Sequence, residues 1–307
     1  MSRRRDTNSA RRYYSLPSSI TTCSLHRGDD DNNGYVDDTI GWDFFNDDND
    51  PFDDGGHGTH VAGIIGAVGN NGIGVVGVNQ RVRIMALKMQ SSGQAGTIAA
   101  AIEAIDYAVL MGAQVISNSW AASAAWGEPG WDQPGFSPEL KAAIERANSA
   151  GVLFVATAGN SAQNKDLLPI FPASYDNSNI VSVAATDAND EMASWSNYGP
   201  TSIDLAAPGV GILSTTPDSC RILGPPPGGG DCDGSGYLSA SGTSTATPHV
   251  AGVAALVLAR YPGLSVAELK DRLLSSVDPL PSFEGLTVTG GRLNAANALE
   301  NGGVDQQ

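Results

Sequence analysis

Ser244 stands among small residues in the run Gly242-Thr243-Ser244-Thr245-Ala246-Thr247-Pro248-His249-Val250-Ala251-Gly252. A serine hydroxyl is a weak nucleophile alone. It needs a base to take its proton and N–H donors for the oxygen that becomes negative. Gly242 lets the backbone turn tightly, and the small neighbours leave room for a substrate. The apolar segment that follows reads as a helix whose positive end faces the serine. Pro248 fits early in such a helix, where N–H groups lack helical partners. A run of similar build, His57-Gly58-Thr59-His60-Val61-Ala62-Gly63, offers His57 as the base. A third, Ala156-Thr157-Ala158-Gly159-Asn160-Ser161, follows an apolar strand pattern. The amide of Asn160, at a strand's carboxyl end, is suited to donate to an oxyanion. The implied chemistry is acyl transfer through a serine ester. Ala246 excludes the G-x-S-x-G elbow of lipase-type hydrolases.

These groups need a scaffold. Apolar strand patterns fall at residues 82–87, 114–118, 152–156, 180–184 and 203–205, with helical patterns at 59–67, 98–111, 138–150, 247–261 and 265–277. Alternating helices and strands predict an α/β fold with a parallel sheet covered on both faces. The division expected is 1–28 as an anomalous segment, disordered or misread, 29–300 as one catalytic domain, and 301–307 as a tail. There are no internal repeats.

Together the motifs resemble the subtilisin-like serine peptidases, the subtilase family, over about residues 29–299. Further matching segments are Val115-Ile116-Ser117-Asn118-Ser119-Trp120, Phe171-Pro172-Ala173-Ser174-Tyr175, Ser196-Asn197-Tyr198-Gly199, 205–210 and Gly290-Gly291-Arg292-Leu293-Asn294. The resemblance implies a three-layer subtilisin-like fold with a seven-stranded parallel sheet. It implies a monomeric serine endopeptidase acting on proteins or peptides, with Ser244 as nucleophile, His57 as base and Asn160 at the oxyanion. Ser117, Ser119, Trp120, Ala158 and Gly159 are its implied substrate-binding residues. Calcium as a structural ion and a secreted location also follow from it.

The chain departs from the family pattern in three places. Thr245 stands where methionine is usual, and Ala121 where glycine often lines the pocket. The family's catalytic aspartate ends a very apolar central strand. Here the nearest match is Asp6-Thr7-Asn8, preceded by Arg3-Arg4-Arg5, and three arginines do not make a buried strand. Asp6 is the nominal acid, and the aspartate-bearing strand is expected to be missing. The alternative function is therefore an impaired relic acting as a peptide-binding module. No signal peptide is visible in the residues given.

The formal net charge is -16, yet six of the 17 basic residues lie in the first 27 positions beside one acid, Asp6. The rest of the chain is strongly acidic, which repels nucleic acid and anionic membranes and favours cations. Asp29, Asp31, Asn33, Asp37 and Asp38 alternate oxygen ligands around an Asn-Gly turn, a spacing suited to calcium or to a solvated acidic hairpin. Ile40 at the twelfth position excludes a full EF-hand. Asp47, Asp48, Asp50, Asp53 and Asp54 read as surface charge. Cys220 and Cys232 bracket a Gly/Pro-rich loop and either close it as a disulfide or remain free thiols. No Cys/His cluster suggests zinc. His60 and His249 read as packed core histidines.

Overall fold

Strand residues buried on every side need helices on both faces of their sheet, and the central strands set that requirement here. The computed structural model describes residues 29, 31–122, 135–217, 221–222, 230–231 and 235–300. Asp6, Cys220, Cys232 and the segments 1–28 and 301–307 lie outside the described residues. In chain order the elements are β1 (Gly41–Asp43), α1 (His57–Gly66), β2 (Ala86–Lys88), α2 (Ile98–Leu110), β3 (Val115–Asn118), α3 (Pro138–Ser149), β4 (Leu153–Thr157), β5 (Ile180–Thr186), β6 (Leu205–Pro208) and β7 (Ile212–Thr215). There follow β8 (Arg221–Ile222), β9 (Gly230–Asp231), β10 (Tyr237–Ala240), α4 (Thr243–Arg260), α5 (Val266–Ser275), β11 (Asp278–Pro279), β12 (Gly291–Arg292) and α6 (Ala295–Leu299).

The main sheet runs β11-β12-β6-β5-β4-β3. All its pairings are parallel except β11–β12. Every residue of β4 and β5 is buried. Alternate side chains therefore serve opposite faces. Leu153, Val155, Val181 and Val183 join Val250, Val253 and Val257 of α4 and Leu269 and Leu273 of α5. Phe154 and Ala156 turn the other way, to Leu140 and Ile144 of α3 and Ile105 of α2. The result is a three-layer α/β sandwich, as the alternating pattern predicts. Helix starts are capped in sequence-legible ways. Thr97 and Ser137 accept from backbone N–H groups of α2 and α3, and Ser265 with Glu268 forms a capping box on α5.

Three expectations are corrected. Residues 82–85 are not strand, because Val82 and Ile84 lie against Gly66 at the end of α1 and only 86–88 pair, in parallel with β1. Strand 203–205 shifts to Leu205–Pro208, with Ile203 buried before it against Ala158 and Ala184. The helix expected at 247–261 begins four residues earlier, at Thr243, so Ser244 lies in its first turn and Pro248 in its second. The parallel sheet also comes in two pieces. Among the described residues β1–β2 is a separate pair, and β3 ends the main sheet.

Helix α1 packs chiefly on α4 and β7. Ser214 Oγ donates to His60 O at 2.7 Å, and Thr215 Oγ1 to Thr59 O at 2.9 Å. Gly63 faces both hydroxyls so closely that any Cβ would collide with them. Buried His60 replies with Nε2, 3.1 Å from Ile212 O and 3.0 Å from Leu238 O. Both partners are acceptors, so Nε2 carries the proton. The antiparallel β7–β10 hairpin thus clasps α1 from both directions.

Candidate active site

Helix α4 presents Ser244 at its N-terminus, where the last unpaired N–H groups point out of the helix. Its cap, Gly242, has an extended backbone and no side-chain bond. A Cβ placed on Gly242 would stand 2.9 Å from Ser244 Oγ, 3.5 Å from Asn160 Nδ2 and 3.6 Å from Ser244 N. A hydroxyl oxygen and two N–H donors thus surround one small space that only glycine leaves open. We expect Gly242→Ala to fold, since the crowded atom is a rotatable hydroxyl, and to lose at least about tenfold in turnover by filling that space. Kinetics on a chromogenic peptide check it, and wild-type turnover would remove the space from consideration.

Asn160 is oriented from behind. Its Oδ1 accepts from Thr243 N at 2.9 Å and Thr243 Oγ1 at 2.8 Å. A backbone N–H can only donate, so this contact fixes which amide atom faces the cleft. The Thr243 hydroxyl, fully buried, also accepts from Thr157 Oγ1 at 2.6 Å and Gly159 N at 2.9 Å. One donor and two acceptor positions are all used. Thr243 was not among the residues expected from sequence, and its only signal is its place beside Ser244.

His57 is the first residue of α1, after Gly56 in the left-handed conformation. Among the described residues its ring has no carboxylate partner. Burial lowers its pKa, against a smaller upward pull from the charge of Asp53. Asp53 is not free surface charge. Its Oδ1 takes Gly55 N at 3.0 Å and Gly56 N at 2.7 Å. Its Oδ2 takes Thr59 N at 2.7 Å and Thr59 Oγ1 at 2.8 Å. The carboxylate therefore ties down the start of the histidine helix, complementing its positive end. An aspartate four residues before a helix-start histidine was the missed signal. Asp43, also unremarked in sequence, is fully buried at the end of β1 and paired with Lys88 at 2.9 Å. That pairing and bonds from Asn46 and Phe45 hold its carboxyl below the ordinary range despite burial.

The expected substrate-binding residues divide. Ser119 lies beside the serine, its Oγ donating to Ser244 O at 2.8 Å. Trp120 packs at the margin of the core shared by α2, α3 and β3. Ser117 Oγ is buried with no hydrogen-bond partner among the described residues. Ala158 is buried against Ile203 and Ala206, and Ala158 O and Gly159 O accept from Asn197 Nδ2 at 2.7 Å and Asn197 N at 2.9 Å.

The acidic turn is drawn together by its own amides. Asp29 accepts from Asn33 N at 3.0 Å and Gly34 N at 2.7 Å. Asp31 accepts from Asn33 Nδ2 at 3.2 Å. Asp38 accepts from Asn33 Nδ2 at 2.9 Å and Tyr107 Oη at 2.6 Å. Three carboxylates thus converge on donors, the reverse of a cation cage. Among the described residues no group of three or more Asp, Glu, His or Cys side chains is arranged to hold a metal ion. As folded, the Asn33 amide donates to Asp31 and Asp38, and a cation held there would need that amide to turn away. No helix among them is long and apolar enough to cross a membrane.

Comparison with known proteins gives a concordant picture. A family model described as the subtilase family matches residues 12–305. Thermitase of Thermoactinomyces vulgaris is 37% identical over 260 residues, covering 85% of this chain and 80% of its own. Subtilisin DY of Bacillus licheniformis is 37% identical over 229 residues, 74% of this chain and 72% of its own. A solved cold adapted subtilisin-like serine proteinase matches with a TM-score of 0.62 at 32% identity, covering 83% of this chain and 78% of that one.

Proposed function

Because the chain belongs to the subtilase family of serine endopeptidases, we propose that Ser244 is its nucleophile, His57 its general base, and Asn160 Nδ2 with Ser244 N–H its oxyanion donors. The supporting observation is the convergence of Ser244 Oγ and both donors on the space beside Gly242. We take 29–300 as the catalytic domain. Ser244 Oγ attacks the carbonyl carbon of a peptide bond as His57 takes its proton, and the carbonyl electrons move to the oxygen between the donors. The tetrahedral intermediate collapses to a serine ester, and the departing amine takes the proton from His57. Water, deprotonated by the same histidine, then attacks the ester, releases the acid and restores Ser244.

A second reading is the impaired relic, favoured by a His57 ring without a carboxylate partner among the described residues. Loss of the acid costs orders of magnitude without erasing catalysis, because binding and oxyanion donors remain. A fluorophosphonate probe separates the two. Labelling mapped to Ser244 is expected of the enzyme; no labelling of folded protein sinks it and leaves the relic. Protein substrates follow from the family. Secretion and a monomeric state belong to the proposal, as does a structural calcium at Asp29, Asp31, Asn33, Asp37 and Asp38. That ion requires the Asn33 amide to turn away first, and no chemical step depends on it.

A further inference from the structure

We propose that Ser119 is a positioning residue for the nucleophile, standing in for the helical hydrogen bond that Pro248 removes. In an α-helix the carbonyl of Ser244 would accept from the N–H four residues on. That residue is Pro248, which has no N–H and lies inside α4 rather than in its first turn. The carbonyl of the nucleophile's own residue is thereby orphaned at the base of the site. An unsatisfied carbonyl is costly even where it is only partly buried, and near the start of a helix it lets the backbone tilt.

Two hydroxyls bond carbonyls of the first turn, and only the second replaces a donor that Pro248 lacks. Thr247 Oγ1 donates to Thr243 O at 2.8 Å from within the helix. Ser119 Oγ donates to Ser244 O at 2.8 Å from outside it. The second bond crosses from the chain just beyond β3 to α4. It couples the strand edge expected to hold substrate backbone to the residue expected to attack it. Ser119 therefore meets the nucleophile through its side chain, and any substrate contact from it is made by the main chain. Proline and serine form one device. Proline frees the carbonyl from the helix ladder, and serine fixes it to the sheet, so Ser244 is registered against β3 and not only against its own helix.

This inference rests on Ser244 being the nucleophile, and a double-mutant cycle tests it. Ser119→Ala is expected to lower kcat about tenfold through misplacement of Ser244, with KM within twofold. Ser119→Thr, which keeps the hydroxyl, is expected to retain most turnover. Pro248→Ala returns an N–H to Ser244 O, so Ser119→Ala/Pro248→Ala is expected to recover most of the kcat lost by Ser119→Ala. A Ser119→Ala enzyme with wild-type kcat, or a double variant no better than the single, overturns the proposal. Should Ser119→Ala not fold, Ser119→Cys, similar in size but a weak donor, takes its place. Melting temperatures across the same cycle report on the bond without activity. A protein unlabelled at Ser244 whose melting temperatures still show recovery in the double variant loses the reading of function and keeps the bond.

Discussion

Asn160→Ala lowers kcat by about 10²–10³-fold while KM changes little, the range for deleting one oxyanion donor. The side chain makes its two bonds through Oδ1, to Thr243 N and Oγ1, leaving Nδ2 for the space beside Ser244 Oγ. An amide held this way loses no orientational freedom when charge develops, so its effect falls on the transition state and not on binding. Thr243→Val extends the argument. It preserves shape and the backbone bond to Asn160 Oδ1 but removes the hydroxyl's bond to it, and strands Thr157 Oγ1 and Gly159 N in a buried place. A loss of about tenfold in kcat with a lowered melting temperature is expected, since only orientation is given up. Steady-state kinetics on a peptide amide decide the matter. An Asn160→Ala enzyme within threefold of wild type would mean the negative oxygen sits elsewhere.

Acidification from pH 6.5 toward 5 destabilises the protein, with each of His57, His60 and His249 contributing at most about 1.4 kcal/mol per pH unit. Burial lowers the pKa of all three. Below the ordinary value near 6.5 the unfolded chain takes up protons that the native state refuses. Stability is therefore whole above that pH and falls as pH drops, until each folded pKa is reached. His60 resists protonation because burial disfavours its cation and the charges of His57 and His249 add to that, while its bonds to the Leu238 and Ile212 carbonyls pull the other way. His249 holds Thr245 O at 2.9 Å through Nδ1. The stabilised carboxylates, Asp43, Asp54, Asp166, Asp176, Asp187 and Asp278 among them, have pKa values below 3.8 and act at lower pH. Asp204, raised by burial, opposes the trend as one group against three. Denaturant melts of Ser244→Ala, which cannot digest itself, at pH 7.5, 6.5 and 5.5 measure the slope. A flat profile contradicts the prediction, and His249→Gln should remove about a third of it.

What the residues disclosed and what they hid have different physical origins. The places of His57, Ser244 and Asn160 at element ends were legible because each sits where apolar and small residues meet, and that change marks an element's end. The layers were legible because 152–156 and 180–184 are too apolar to show any face to water. Thr243 was hidden by its surroundings, since one threonine in a run of threonines and serines carries no pattern. Asp53 was hidden by the acidic residues around it, because capping is a matter of three nearby N–H groups and a hydroxyl and not of composition. The start of α4 was misjudged because Pro248 was taken as a first-turn residue, when Ser119 from another part of the chain repairs the turn around it. The acidic turn had calcium spacing, yet Asn33 within the same turn supplies the donors that satisfy it.

The clasp between α1 and the β7–β10 pair gives the histidine helix a second hold besides α4. Ser244 rides on α4, which is packed against β3, β4, β5 and β6, the most deeply buried part of the molecule. His57 rides on α1, whose hold on the rest runs through α4 and a hairpin. Partial openings release the less embedded unit first. A molecule whose β7–β10 pair lifts keeps α1 on α4 but loses the bonds that Ser214 and Thr215 make to its carbonyls. Loosening of the start of the histidine helix is then a reversible, local event with its own free energy, smaller than that of global unfolding.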